Sequence, residues 1–296
     1  MKILHIGDIA GAPTSFRDAE RRNGHKSDVV RTYPHPFDYP VDYKLRINGK
    51  NLQSVKDMCK LLKLCLKYDR LHFHKKPTKT GFELVLMKLL GKQIVIHYHG
   101  SDIRGKKQPL LHKIVASETY VSTMDLLEWV HNAEWLPTMV IEKDLPMSER
   151  DAYLSSNHKF RILHTPTNPK IKGTAYITAA VEELKKEGYG FEFSLLSGRS
   201  HKEILHEMAT CDLYIDQLLL GFYGTSALEC AAMGVPVAVY VKPEFESPFI
   251  SISKHNVKER LRSVLEGRVD LSQYSEKELQ FYNKRRSYID DFYQTI

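Results

Sequence analysis

The stretch that most constrains the fold is residues 216–241, which read DQLLLGFYGTSALECAAMGVPVAVYV. This pattern predicts a strand end, a glycine-bearing loop, a short alanine-rich helix, a turn at Gly234 and a buried strand. Thr225 or Ser226 is the predicted N-cap of the helix. Such a unit is typical of an open parallel α/β sheet, in which helix-start amides lie at the carboxyl ends of the strands. Anionic ligands bind at that edge.

An acidic residue, Glu229, lies one turn inside the predicted helix. Burying a carboxylate costs free energy unless the carboxylate accepts hydrogen bonds. Ribose hydroxyls are suitable donors. The position therefore indicates a nucleotide ligand that brings its sugar to Glu229.

The order of glycine loop, small residues, Glu229 and then Ala-Met-Gly-Val-Pro-Val resembles a known donor-site signature. It is that of retaining glycosyltransferases with the GT-B fold, of the large family 4 type. The resemblance implies that Glu229 binds the ribose of a nucleotide sugar. Family members carry another Glu eight residues earlier, near the transferred sugar, and Gly221 stands there in this chain. Either Asp216 replaces that Glu or the sugar is held differently.

A second loop, residues 165–174, follows a predicted strand over 161–164 and reads TPTNPKIKGT. In the same family this loop ends in Lys-Gly at a helix start, and an Arg lies five residues before the Lys. Both cations face the donor diphosphate. Lys172 matches the Lys, whereas Thr167 stands at the Arg position, so Lys170 or local hydroxyls and amides would have to compensate. A lysine at a helix start opposes the helix dipole, which a bound anion would explain.

A third loop, residues 97–104, follows a predicted strand over 93–97 and reads HYHGSDIR. It resembles the His-Gly-x-Asp loops in the N-terminal domain of family 4 enzymes. That match implies that His99 lies near the reaction centre, with His99 and Asp102 as the predicted catalytic residues. It also implies that Asp102 and Arg104 shape the site or contact the acceptor. Without the resemblance the residues favour a local role, in which Asp102 caps the following turn and His99 is an ordinary loop histidine.

The first loop of the chain, residues 8–14, follows a predicted strand over 2–7. It lacks the GxGxxG pattern, which argues against a dinucleotide cofactor. The family resemblance implies that this loop faces the acceptor and the donor phosphates, where Gly11 would allow close backbone approach. An ordinary strand-to-helix turn is an equal alternative on the residues alone.

With 296 residues, the chain exceeds what one hydrophobic core usually serves, and two α/β domains are expected. The resemblance implies the GT-B class, with two Rossmann-like domains facing across a cleft. Residues 1–145 would form the acceptor-side domain and residues 146–296 the nucleotide-sugar-binding domain. The final helix, about residues 275–296, would brace the N-terminal domain.

The net charge of +7 is concentrated in the first half of the chain, where residues 1–150 carry +8. An anionic membrane surface, a polyanionic acceptor and nucleic acid all fit this asymmetry. A predicted helix over 51–68 places four lysines on one face: Lys56, Lys60, Lys63 and Lys67. An opposing apolar stripe of Val55, Met58, Cys59, Leu62 and Leu66 is expected to pack on the core. The lysine face is either simply solvated or docks on anionic lipid.

No run of about 18 apolar residues occurs, and the chain begins directly with a predicted strand. We therefore expect neither a membrane span nor a signal peptide, and a cytoplasmic protein that is peripheral at the inner face of the membrane if the lysine helix docks there.

Three loops in the order of the family together imply a hexosyltransferase-like enzyme of surface glycan or glycolipid synthesis. It would transfer a sugar with retention from a nucleoside diphosphate sugar to a hydroxyl on a glycan or lipid-linked acceptor. No Asp-x-Asp stands at a strand end, so no metal and no cofactor are expected, and lysines and amides would meet the diphosphate charge. The predicted donor-site residues are Thr167, Lys170, Lys172, Arg199, Asp216, Gly221, Tyr223, Gly224, Thr225 and Glu229.

Two alternatives remain open at this point. The departures at Gly221 and Thr167 favour a non-catalytic partner that binds nucleotide sugars. The basic first half favours a nucleic-acid-directed glycosyltransferase, but the chain lacks an aromatic-basic or helix-turn-helix signature, so nucleic acid is the least favoured partner.

Overall fold

The chain forms two compact units in the computed structural model, which describes residues 1–34, 39–47, 51–75 and 77–294. The first unit comprises Met1–Ile141 and Arg286–Ile296, and the second comprises Glu142–Arg285. Among the described residues, no helix combines the length and the apolar content that a membrane span requires.

The first unit is built on a parallel sheet whose described strands follow the order β3-β2-β1-β4-β5-β6-β7. The strands are β1 Lys2–Ile6, β2 Lys26–Arg31, β3 Tyr43–Lys44, β4 Arg70–Phe73, β5 Gln93–Tyr98, β6 Glu118–Val121 and β7 Glu134–Trp135. The helices are α1 Ala12–Arg22, α2 Leu52–Cys65, α3 Phe82–Leu89 and α4 Leu110–Val115, with a 3-10 helix at Met124–Glu128. The chain runs outward from β1 in one direction and later resumes at β4 on the other side. The topological switch point, where ligands bind in such sheets, therefore lies between β1 and β4.

The second unit repeats this design with the strand order β12-β11-β10-β8-β9, also parallel. Its strands are β8 Arg161–His164, β9 Glu192–Leu195, β10 Leu213–Ile215, β11 Val237–Val239 and β12 Ile250–Ser251. Its helices are α5 Met147–Leu154, α6 Pro169–Lys172, α7 Thr174–Lys186, α8 His201–Ala209, α9 Thr225–Ala232 and α10 Val257–Leu265, with a 3-10 helix at Glu142–Asp144. Helix α11, Leu271–Gln294, belongs to the second unit as far as Arg285 and to the first unit from Arg286. Here the switch point lies between β8 and β10. Two parallel-sheet Rossmann-like units of the α/β class were the predicted architecture, and that prediction is confirmed.

The two faces of the first sheet differ in chemistry. Leu4 and Ile6 of β1 pack into an aliphatic core with residues of β4 and β5. His5 lies between them in sequence, and side chains alternate across a strand, so its ring belongs to the opposite face. It is fully buried there beside Phe16 of α1. Histidines rather than aliphatic residues thus line part of one buried face.

Helix α2 differs from the predicted amphipathic pattern. Met58 and Leu62 of the predicted core stripe pack on the core. The prediction is wrong for Val55 at 57% exposure, Leu66 at 51% and Cys59, which is also exposed. The buried positions are instead Ser54, Asp57, Leu61, Leu64 and Cys65. Asn51 caps the helix through its side chain, which accepts from the amide of Ser54. Apolar side chains therefore share the solvent-facing surface of α2 with its lysines.

Helix α11 contributes aromatic side chains to both units. Phe281 lies edge-on to Tyr223 within the second unit, with ring centroids 5.8 Å apart. Farther along the helix, Tyr288 stacks on Trp135 of the first unit at 6.3 Å. Phe292 lies edge-on to Tyr120 at 5.8 Å. The last turns of α11, which belong to the first unit, are thus held within that unit by aromatic contacts.

Candidate functional site

An ion pair lies at the switch point of the second unit. Asp216 directly follows β10, and its side chain is fully buried, while Lys172 ends α6 with 14% of its side chain exposed. The Lys172 ammonium contacts Oδ1 of Asp216. The backbone amide of Gly224 donates to Oδ2 of Asp216 over 2.7 Å. A cation, a carboxylate and the residue that directly precedes α9 therefore meet where ligands bind in open α/β sheets.

A buried histidine supports the loop that carries Lys172. His164 ends β8 and donates from Nδ1 to the carbonyl of Ile215 over 2.8 Å. Its Nε2 then accepts from the hydroxyl of Thr174 over 2.9 Å. Burial, together with the charge of Lys172, lowers the pKa of His164 to about 4. The neutral ring is thus suited to tie β8, β10 and the start of α7 together without adding charge.

The loop after β10 is braced by one amide side chain. Gln217 is completely buried, and its Oε1 accepts from the amides of Leu219 and Leu220 over 2.7 and 2.6 Å. Its Nε2 donates to the carbonyls of Phe222 and Tyr240 over 2.8 and 2.7 Å. These four bonds shape the loop that leads from Asp216 to α9, because every polar atom of the buried amide is satisfied.

Gly221 stands where the family carries a glutamate, and the structure shows why glycine suits the position. Its φ angle is +78°, in the left-handed region that disfavours side chains. A Cβ there would lie 2.7 Å from Cγ of Lys242, whose amide also donates to the Gly221 carbonyl. A carboxylate at this position would require Lys242 to move.

The N-cap of helix α9 lies one residue before the first predicted N-cap position. Gly224 is the N-cap, and within the described residues no side chain caps the helix. The expectation that Thr225 or Ser226 would cap is therefore wrong, and both lie in the first turn instead. First-turn amides have no preceding helical carbonyl to bond, which leaves them suited to an anion.

Glu229 lies on α9 and is paired with a histidine of α8. His201 donates from Nε2 to Oε1 of Glu229 over 2.7 Å, and both side chains are largely buried. Burial opposes the charged form of His201, but the hydrogen bond and charge of Glu229, with the charge of Asp144, outweigh it and raise the pKa of His201. The carboxylate is thus satisfied on one oxygen by a neighbouring ring.

The remaining predicted donor-site residues differ in how exposed their side chains are to solvent. Thr167, Lys170 and Arg199 are exposed. Arg199 lies 3.6 Å from Glu203 in an i,i+4 pair of the kind that contributes little to stability. Tyr223 is buried, and its hydroxyl accepts from the Arg285 guanidinium over 2.6 Å. Tyr223 therefore stabilises its own unit, whereas the three exposed side chains are open to solvent.

In the first unit, the third loop is held by local contacts. Asp102 accepts from the amides of His99 and Gly100 over 3.1 and 2.8 Å, which makes it a cap of its own turn. Arg104 binds Asp125 through Nε and Nη2 over 2.9 and 2.7 Å. His99 is half-buried, and Nε2 of its ring lies 2.8 Å from Nδ1 of His74.

Gly11 is the N-cap of α1 with a φ angle of +72°. A Cβ at Gly11 would lie 2.9 Å from the ring of Tyr39 and 3.1 Å from Ile141. The need for glycine here thus comes from the backbone conformation and from packing within the first unit.

Sequence reasoning did not identify His5, His74, Asp125, His164 or Gln217 as site-supporting residues. A signal was available for His74, because LHFH and IHYH repeat a histidine at alternate positions of two predicted strands. Alternate positions lie on one face of a strand, so adjacent strands with this pattern place histidines together. For Gln217 and Asp125 the sequence carries no comparable pattern.

Comparison with known proteins gives agreement in fold without agreement in sequence. No family model matches the sequence, and no match was found among the curated proteins. Among solved structures, sucrose-phosphate synthase from Thermosynechococcus elongatus matches with a TM-score of 0.67 and 12% identity, covering 99% of this chain and 97% of that one. An alpha-glucosyltransferase in complex with UDP and a 13-mer DNA matches with a TM-score of 0.64 and 12% identity, covering 96% and 94%.

An epimerase is among the similar structures as well. UDP-GlcNAc 2-epimerase from Neisseria meningitidis, bound to UDP-GlcNAc, has a TM-score of 0.59 and 14% identity, covering 93% of this chain and 94% of that one. Sequence identities this low show a similarity of fold alone. The chain therefore has the GT-B architecture, an α/β fold of two parallel-sheet Rossmann-like domains that glycosyltransferases and epimerases share.

Proposed function

We propose that the chain is a glycosyltransferase that moves a sugar from a nucleoside diphosphate sugar to a hydroxyl acceptor, with retention. The observation that carries this proposal is the arrangement at the switch point of the second unit. There Lys172, the start of α9 and Glu229 are presented by the carboxyl end of one sheet. A cation and helix-start amides suit a diphosphate, and a carboxylate suits ribose hydroxyls.

The chemistry of this arrangement follows the charge of the leaving group. When the bond between the sugar and the diphosphate breaks, negative charge grows on the leaving oxygen. The Lys172 ammonium and the first-turn amides of α9 would stabilise that charge, so no metal is assigned to this role. The acceptor side is assigned to the loops of the first unit that carry Gly11, His99 and Arg104.

The test is a panel of UDP-, GDP- and ADP-sugars offered with simple glycan and lipid-linked acceptors. We expect release of nucleoside diphosphate that depends on the acceptor and is lost in the Lys172→Met variant. If the protein instead epimerises a nucleotide sugar in the absence of acceptor, the proposed transferase function is wrong and the protein is an epimerase. Tight nucleotide binding without turnover would replace it by a non-catalytic binding partner, and transfer to DNA would identify a nucleic-acid acceptor.

We further propose that the acceptor is lipid-linked and that α2 docks on an anionic membrane. Lys56, Lys60 and Lys63 of α2, together with Lys67 two residues after its end, are all exposed, and we call them the four α2 lysines. Exposed apolar side chains lie on the same helix, Leu52 at 70% and Val55 at 57%, and at its C-cap, Leu66 at 51%. Lysines that attract anionic headgroups and apolar groups that enter the interface are the two components of a membrane-surface helix.

Replacing the four α2 lysines with glutamine is expected to abolish binding to phosphatidylserine-containing vesicles while leaving nucleotide binding intact. Each lysine near an anionic surface contributes about 1 kcal/mol, so partitioning should fall roughly a thousandfold at low salt. The difference should shrink as salt rises, because screening shortens the range of the attraction. Vesicle sedimentation measures both effects.

The matched control removes four exposed lysines from the second unit: Lys159, Lys186, Lys202 and Lys254. This variant has the same net charge as the α2 variant and should retain vesicle binding. Equal sedimentation of the wild type and the α2 variant would exclude membrane docking by this helix.

A further inference from the structure

A cluster of five histidines lies on one face of the first unit's sheet, and we call it the histidine array. Its members are His5 of β1, His72 of β4, His74 just after β4, His97 of β5 and His99 just after β5. The first four are buried and His99 is half-buried. The array reaches the carboxyl end of the sheet at His99, in the loop that the proposed function assigns to the acceptor side.

One line of hydrogen bonds runs across the array from helix α1 to His99. Nε2 of His5 donates to Oε2 of Glu20 over 2.8 Å. Nδ1 of His5 lies 2.9 Å from Nε2 of His74, and Nδ1 of His74 lies 2.8 Å from Nε2 of His99. His72 and His97 form a separate pair at 3.2 Å.

The carboxylate at one end fixes the direction of every bond in this line. Glu20 as a carboxylate only accepts, so the proton of His5 lies on Nε2 and its Nδ1 is an acceptor. His74 must then carry its proton on Nε2, and His99 must do the same. The resting line therefore leaves Nδ1 of His99 as an acceptor at the end of the chain.

Burial disfavours an imidazolium anywhere along this line. The pKa of His74 is held well below its ordinary value by burial and by the neighbouring histidines. Burial lowers the pKa of His99 to about 4, against the opposing charge of Asp102. A proton that enters at His99 is therefore cheaper to accommodate if each ring passes its own proton onward than if one ring keeps two.

We propose that Glu20, His5, His74 and His99 form a proton-transfer chain that takes the proton of the acceptor hydroxyl and delivers one to Glu20. The proposal rests on the proposed glycosyltransferase function. The acceptor oxygen loses its proton to Nδ1 of His99 as it bonds to the sugar carbon on the face that the diphosphate leaves, which keeps the configuration of that carbon. The bond from that carbon to the diphosphate oxygen breaks in the same step. His99 passes its Nε2 proton to His74, His74 passes its own to His5, and His5 passes its own to Glu20.

The charges balance at each end of this transfer. Glu20 changes from a carboxylate to a neutral acid, and all three histidines end as the opposite neutral tautomer. The diphosphate leaves with the electron pair of the bond that it formed with the sugar. The proton on Glu20 returns to solvent by the reverse path once product leaves, which restores the resting line.

The ring geometry favours a proton chain over a metal site. Two triads, His5 with His72 and His74, and His74 with His97 and His99, have nitrogens within 4.8 Å of one another. However, neighbouring rings of the array are inclined by only 14° to 34°. Ring lone pairs lie in the ring planes, so nearly parallel rings do not aim at a common point, as a tetrahedral metal needs.

The Glu20→Gln variant tests the chain, because an amide oxygen still accepts from His5 but does not take up its proton. We expect kcat to fall by about 10²- to 10⁴-fold, the usual contribution of general base catalysis, with KM for the donor changed less than threefold. The control is His72→Gln, which alters the array outside the line and should keep kcat within threefold. A Glu20→Gln variant with wild-type kcat would overturn the proposal.

Nitrogen-15 NMR of the histidine rings gives a readout that does not depend on turnover. His5, His74 and His99 should all carry their proton on Nε2, in the wild type and in Glu20→Gln alike. Protons on Nδ1 in the resting protein, or stoichiometric uptake of Zn²⁺ by His74, His97 and His99, would overturn the chain itself. An intact tautomer pattern with no transfer from any donor would instead overturn the proposed function and the role that rests on it.

Discussion

Replacement of Lys172 by methionine is expected to lower the free energy of unfolding of the second unit by about 3–5 kcal/mol, the usual cost of removing one partner of a buried ion pair. The carboxylate of Asp216 is fully buried, and Lys172 is the cation that contacts it. Methionine keeps most of the aliphatic length, so the loss reports the missing charge. Urea unfolding followed by circular dichroism measures it.

Two variants make this result specific. Lys170→Met removes an exposed lysine from the same short helix and should change stability by less than about 0.5 kcal/mol. Lys172→Met combined with Asp216→Asn removes both charges, while the asparagine oxygen still accepts from the Gly224 amide. This double variant should recover much of the lost stability. A single variant as stable as the wild type would show that the ion pair does not support the fold.

The Lys172→Met substitution should also weaken binding of a nucleoside diphosphate more than binding of the bare nucleoside. Only the diphosphate offers negative charge to the ammonium, and lysine acts on phosphate as a compact charge. Titration calorimetry measures the affinity of both ligands for the single variant and for the double variant Lys172→Met with Asp216→Asn. Because the double variant recovers stability but still lacks the lysine, the comparison separates the loss of the phosphate contact from the loss of stability. Equal loss for both ligands would indicate damage to the site as a whole.

The Glu229→Gln variant is expected to keep the fold and to lose about 1.5–3 kcal/mol of nucleotide binding, or roughly 10- to 100-fold in affinity. A carboxylate accepts stronger hydrogen bonds from ribose hydroxyls than an amide does. One carboxylate oxygen is already bonded by His201, and the other is proposed to face the ribose. Unchanged nucleoside diphosphate affinity would remove Glu229 from the proposed donor site.

This variant also changes how stability depends on pH. The pKa of His201 is raised in the folded protein against the opposing effect of burial, chiefly by Glu229. A histidine with a raised folded pKa stabilises the fold fully below its unfolded pKa of about 6.5, and that stabilisation is lost as pH rises through the folded pKa. The wild type should therefore lose stability over this window. Glu229→Gln should lack that loss, and His201→Gln should behave likewise.

The structure gives a physical reason for one departure from the family pattern, the glycine at position 221. At Gly221, the left-handed backbone and the nearby Lys242 side chain make glycine the suitable residue. Asp216, which was one predicted substitute for the family glutamate, is engaged by Lys172 and by the Gly224 amide. Its charge is therefore used inside the protein, to hold the lysine that is proposed to meet the diphosphate.

The sequence by itself determined the architecture, because local patterns encode it. Buried apolar runs, glycine turns and alanine-rich helices predict parallel strands and crossovers wherever they occur. The same patterns placed Lys172 in a strand-end loop and Glu229 on the following helix, and the family resemblance then made both of them predicted donor-site residues. Helix α2 shows the limit of this reasoning. Its apolar spacing predicts which face packs on the core, but the folded structure buries Asp57 and Leu61 instead.

Pairings between distant residues were decided only by the tertiary structure. Lys172 and Asp216 are 44 residues apart, and His201 and Glu229 are 28 apart. The line from Glu20 to His99 requires β1, β4 and β5 to lie side by side in one register. A hydrogen bond depends on distances of about 3 Å, and sequence periodicity specifies only which face of an element a residue occupies. Which side chains meet across that face follows from strand order, and strand order is a property of the folded chain.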